Sequence, residues 1–177
     1  MKKIAFLIAL ACVFSCQKDD TPSDYVNVAV PLLMSKEQFR NSVEIQSPKQ
    51  VDQAGKIYAY NNYIFVNNQC KGVQIIDNTN PSSPSAMAYI KIPGNVDISI
   101  KDDYLYADSS TDLVVFDISD MNNIKIAARL KDVFSIYDYQ IPEGAEYADF
   151  GNFNYENDIV VGWDIEKREF FIIPYLN

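Results

Sequence analysis

Histidine is missing from all 177 residues. Its absence removes the usual general base, the serine and cysteine triads, and the commonest metal ligand. Cysteine is scarce, at positions 12, 16 and 70. Cys12 falls in a leader and Cys16 directly follows it, both described below, so Cys70 is left alone. A single thiol forms no intrachain disulfide, and with no histidine to activate it a nucleophilic role is disfavoured. Within Asn67-Asn68-Gln69-Cys70-Lys71-Gly72 it reads as a thiol in a hairpin turn. No Gly-rich phosphate loop and no Cys/His metal spacing occurs, so no cofactor and no metal site is expected. Positive charge is in deficit, with 15 basic residues against 24 acids. Such a chain repels nucleic acid and anionic head groups, and no nucleic-acid partner is expected.

Long apolar runs are also lacking. The longest at the N-terminus, Ile4 to Phe14, covers eleven residues, whereas a spanning helix needs roughly 20. Behind Met1-Lys2-Lys3 this run fits the apolar core of a signal peptide. Ser15 precedes Cys16, and Val13 sits three residues before it. The stretch resembles the lipobox cut by the lipoprotein signal peptidase, although Phe14 is bulkier than usual there. The resemblance implies that residues 1–15 are removed and that Cys16 carries lipid. The plainer alternative is an ordinary cleaved leader with a chance cysteine. Residues 1–15 hold two of the 15 basic residues and no acid, so the remainder carries a net charge of −11. Lys18-Asp19-Asp20 resembles the lysine-plus-acids signal that sends lipoproteins of the Bacteroidota to the outer face of the outer membrane. Its alternative is a polar linker. Residues 16–24 then form the lipidated cysteine and a flexible tether. The implied location is the outer membrane, lipid-anchored, with surface exposure resting on those three residues.

Twelve Tyr and ten Phe favour strands over helices in what remains. Residues 25–54 form an N-terminal segment. It begins apolar, and Ser35 with Gln38 makes a capping-box pattern that predicts a short helix from Lys36 to about Ser42. Phe39 and Val43 fall on its buried face, and residues 44–54 read as a connection. From Gly55 the pattern becomes β and repeats. Lys56–Tyr60, Tyr63–Asn67, Gly72–Asp77 and Pro84–Ile92 are followed in the same order by Asp97–Ile100, Tyr104–Asp108, Asp112–Asp117 and Ile124–Leu130. Tyr104 follows Tyr63 by 41 residues and Asp117 follows Asp77 by 40, one residue being lost in the loop between those strands. A period of about 40 with four short strands per unit is that of a propeller blade. Val73–Ile76 and Leu113–Phe116 are nearly continuous apolar runs, expected for strands covered on both faces. Asp77 and Asp117 end their strands where a carboxylate can form an Asx turn.

Val73-Gln74-Ile75-Ile76-Asp77 and Leu113-Val114-Val115-Phe116-Asp117 resemble the LVIVD repeat, a strand motif that builds β-propellers in secreted bacterial proteins. Gln74 departs from it. The turn Asn78–Pro84 is the better copy, and 118–123 the poorer. The repeats take in units 55–95 and 96–132, and the whole chain looks like the N-terminal portion of longer lipoproteins of the Bacteroidota. The fold class implied is all-β, a partial β-propeller of about two to three blades of four-stranded antiparallel sheet, plus one short N-terminal helix. After Leu130 the repeat decays into a long loop. Asp158–Asp164 and Arg168–Pro174 then read as an irregular C-terminal hairpin around Glu166-Lys167, half of a third blade.

Two groups of side chains carry possible chemistry. Glu143, Glu146, Asp149, Glu156 and Asp158 cluster in sequence, but their spacing matches no EF-hand loop, so a solvated acidic loop outweighs calcium or a glycosidase pair. Tyr137, Tyr139, Tyr147, Tyr155 and Trp163 are candidates for a binding surface, since Tyr and Trp are common anchors, with core packing as the plainer role. The functional expectation is a non-enzymatic, lipid-anchored binding or interaction module of the cell envelope. A surface carbohydrate-active hydrolase and a truncated propeller fragment without independent function are the alternatives. Expected partners are the membrane, through lipid on Cys16, and a protein or second copy that completes the blade array. The alternative to such a partner is that Val26, Val28, Leu32, Leu33 and Phe39 fold over the open side and seal it.

Overall fold

The computed structural model describes residues 24–135 and 139–170. The leader, Cys16, Lys18, Asp19, Asp20, Tyr137 and the apolar stretch 171–177 lie outside the described residues. The chain enters on a strand, β1 (Asp24–Ser35), and turns into a six-residue helix, α1 (Lys36–Asn41). Ser35 is extended and its side chain accepts from the Gln38 N–H at 3.3 Å, so the expected cap starts the helix. Phe39 is fully buried and Val43 packs half-buried against the core. Residues 44–54 are more than a connection. Glu44–Gln46 forms β2, which pairs with the outer strand of the first blade. Pairing there satisfies backbone groups that an outer blade strand otherwise leaves open.

Each repeat folds into an antiparallel meander. The first holds β3 (Ala54–Tyr60), β4 (Tyr63–Asn68), β5 (Gly72–Asp77) and β6 (Ser85–Lys91), in the order β2-β6-β5-β4-β3. The second holds β7 (Ile98–Lys101), β8 (Tyr104–Ser109), β9 (Asp112–Asp117) and β10 (Lys125–Leu130), in the order β10-β9-β8-β7. Asn61, Asp102 and Asp103 take positive φ in the first turn of each blade, a region Asn and Asp tolerate. Asp77 accepts from the Thr79 N–H at 2.8 Å and Asp117 from the Ser119 N–H at 3.0 Å, which makes both Asx turns real. Gly72 opens the motif strand at φ +142°, and a Cβ there would lie 2.0 Å from the Ile90 carbonyl oxygen. Only glycine fits that approach.

The blades pack face to face. Phe65, Val73, Ile75 and Ile90 of the first meet Ile100, Leu105, Val114 and Phe116 of the second in one buried cluster. Val115 is also buried, so β9 is covered on both faces as its apolar run requires. Gln74, the departure from the motif, is 3% exposed. Its amide donates to the Ile75 and Ala88 carbonyls and its oxygen accepts from the Lys49 N–H. The residue therefore straps the 47–53 connection across the blade.

The C-terminal region differs from expectation. Asp158–Phe170 is one continuous strand, β12, with no hairpin at Glu166-Lys167. Tight hairpin turns need positive φ, for which Asn and Gly are suited and Glu and Lys are not. Instead β12 pairs antiparallel with β1 along its length, from Asp24↔Phe170 to Ser35↔Asp158, with one irregularity at Leu32/Leu33. The two-residue β11 (Tyr147–Ala148) runs parallel to β1 on its other side. The third sheet is thus closed by the N-terminal segment and is not half a blade of the repeat kind. The architecture is all-β, a partial propeller of two blades with a terminal sheet across one end.

Candidate functional site

The chemistry gathers where β12 crosses the turns of both blades. The β4–β5 turn carries Cys70 at φ +60°, and the β8–β9 turn carries Ser110 at φ +50°. Gly94, in the connector between the blades, ties them together: its N–H donates to the Cys70 carbonyl at 2.9 Å and its carbonyl accepts from the Ser110 N–H at 3.1 Å. A Cβ on Gly94 would lie 2.9 Å from the Ser110 Cβ. Glycine is what lets this connector lie flat against the turn. Above it, the Ser110 hydroxyl donates to the Val160 carbonyl at 2.8 Å, and Gly162 passes with room for a Cβ only 3.5 Å from that of Cys70. A cleft of about 440 Å³ remains between the turns, β12 and the loop after β10. That is the size of a small-molecule site.

Asp108, at the end of β8, lies in its wall. Its Oδ1 accepts from the Val96 N–H, the Asp97 N–H and the Asn95 amide at 2.7–2.8 Å. Among the described residues no hydrogen bond ends on Oδ2. Burial pushes this carboxyl above the ordinary range despite those bonds. Asn67 holds the matching place in the first blade and donates to the Asn95 side-chain oxygen at 2.6 Å, so one polar chain links β4, the connector and β8. Cys70 also lines the cleft, and burial, then the nearby Asp108, pushes its thiol up. A protonated thiol is a poor nucleophile, which fits its reading as a turn residue.

Tyr139 and Trp163 line the cleft, the Tyr139 hydroxyl accepting from the Val160 N–H at 3.4 Å. Tyr155 does not. It is exposed, and it connects to Trp163 only through a relay of rings: Tyr155–Phe153 at 4.6 Å, Phe153–Phe150 at 5.8 Å and Phe150–Trp163 at 5.6 Å. Tyr147 sits apart, on β11 beside Val28. The acids do not converge either. Glu146 binds the Asn27 N–H, Asp149 pairs with Arg168 at 2.6 Å, and Asp158 accepts from the Asn154 N–H. Among the described residues no three acids or thiols are placed to hold a metal ion. Only Glu143 reaches the cleft. Sequence reading passed over Asp108 and Gly94. Alignment of the two repeats was the available signal, since it sets a carboxylate at 108 opposite the amide at 67.

These features define a repeat-built, partial-propeller protein with a cleft at the end of its blades. The LVIVD repeat matches it twice, over residues 53–90 and 94–130. Those stretches are the two blades, from β3 to β6 and from β7 to β10. No curated protein and no solved structure matches the chain.

Proposed function

We propose that this protein is a non-enzymatic binding module held at the cell envelope by lipid on Cys16, and that the cleft under β12 is its binding site. The observation that supports the reading is the junction itself: two blade turns, a connector glycine and a terminal strand bring aromatic rings and a half-buried carboxylate together in one concave site. The leader and Cys16 support the anchor, since two or more acyl chains hold a protein stably on a bilayer. Lys18, Asp19 and Asp20 support an outer-membrane, surface-exposed location. A protein partner or second copy that completes the blade array belongs to the same proposal.

Two experiments test it. Cys16→Ser is expected to abolish palmitate incorporation and release the protein from the membrane fraction; unchanged partitioning refutes the anchor. Capture from native outer membrane with the wild type and with Trp163→Ala tests the cleft, and identical captures from both refute it. A second reading, a carbohydrate-active hydrolase, draws on Asp108 and Glu143 lining the same cleft. It requires glycan cleavage that Glu143→Gln abolishes.

A further inference from the structure

We infer that the cleft takes an organic cation, an ammonium group carried on an apolar body. This rests on the reading of the cleft as a binding site. Charge is the first argument. Asp108 and Glu143 are the charged side chains of the lining, and no lysine or arginine is among the described residues there. The second is the rings. Phe134, Tyr139 and Trp163 line the same space, and aromatic faces attract cations, more strongly where water is excluded. The third is Asp108. Three N–H donors converge on Oδ1 and hold the carboxylate in place, which leaves Oδ2 as its open acceptor. A cation beside it offsets the burial that otherwise disfavours its charge. Two wall hydroxyls also serve the protein, Ser110 donating to the Val160 carbonyl and Tyr139 accepting from the Val160 N–H. Each keeps hydrogen-bonding capacity for a ligand, so the choice of a cation over a sugar rests on the charge and the rings.

The chain reports on this site by itself, because Trp163 is its one tryptophan. The protein, purified whole from membranes in a non-ionic detergent, is titrated with phenethylammonium and with 2-phenylethanol, its uncharged counterpart, while tryptophan emission is followed. Phenethylammonium is expected to give a saturable change at a dissociation constant about tenfold below that of the alcohol. Asp108→Asn keeps an oxygen for the Val96 and Asp97 N–H groups and is expected to cut that preference to about threefold or less. Glu143→Gln, at an exposed position, is expected to weaken it in part. It serves as the deciding variant if circular dichroism shows Asp108→Asn misfolded. Equal affinity for the two probes, a stronger response to maltotriose, or no response to the cation overturns the inference. The first two leave a binding cleft of another specificity, whereas identical captures by wild type and Trp163→Ala remove the binding site itself.

Discussion

Asp112→Asn is the substitution whose cost the structure bounds best. Asp112 opens β9 and its side chain is 0% exposed. It accepts from Arg40 Nε at 3.2 Å and from the Asp132 N–H at 3.0 Å, and Arg129 Nε lies 3.5 Å away. Arg40 comes from α1 and Arg129 from β10. The Arg129 guanidinium also stacks over the Phe39 ring at 5.1 Å and donates to the Arg40 carbonyl at 2.8 Å. One carboxylate thus fastens the helix to the second blade. The amide retains an acceptor but removes the charge that two arginines share. Breaking a buried pair by one partner costs about 3–5 kcal/mol. The arginines are 21% and 13% exposed, so water relieves part of this and the low end, about 3 kcal/mol, applies. In urea unfolding of a chain starting at Gln17, with a slope of about 2 kcal/mol per molar, the midpoint then falls by about 1.5 M. Arg40→Ala is expected to cost less, since Arg129 still faces Asp112. Replacing all three with Met, Leu and Met is expected to restore at least half of the loss, because apolar packing carries no desolvation penalty. A midpoint shift under about 0.3 M for Asp112→Asn, or a triple variant no more stable than the single, would falsify the account.

Gln74→Val restores the repeat motif yet is expected to destabilise by about 1–2 kcal/mol, because the Lys49 N–H loses its acceptor; a gain in urea midpoint refutes the strap. Asp77 and Asp117 are held below the ordinary carboxylate range by the side chain and then the backbone N–H of Thr79 and of Ser119. Their stabilisation is complete above the unfolded-state carboxyl pKa and is lost as pH falls through the depressed folded values. Asp77→Ala and Asp117→Ala are therefore expected to lower the thermal midpoint at pH 7 and to converge on the wild type in strong acid; an equal deficit at both pH values contradicts the Asx assignment. Cys70, with its thiol pushed up, is expected to alkylate at pH 7.5 well below the rate of free cysteine, and a rate equal to the free thiol shows that it is neither buried nor suppressed.

The blades were legible in the sequence because everything that makes them is local. Continuous apolar runs mark β5 and β9, Asn61, Asp102 and Asp103 sit where positive φ is needed, and Asp77 and Asp117 cap the strands within two residues of themselves. The cap of α1 was readable for the same reason: Ser35 and Gln38 lie three residues apart. The sequence also marked Tyr139 and Trp163 as candidates, though beside Tyr147 and Tyr155, which the fold sends elsewhere. Tertiary structure alone decided the third sheet. The Tyr25 hydroxyl meets Glu169 across 144 residues, and no local pattern encodes a partner at that distance. Whether Asp158–Phe170 bends or runs straight depended on the presence of β1 beside it. The cleft was decided in the same way. Asp108, Gly94 and Cys70 come from strand end, connector and turn, and only the crossing of β12 over both blades converts three local features into one cleft.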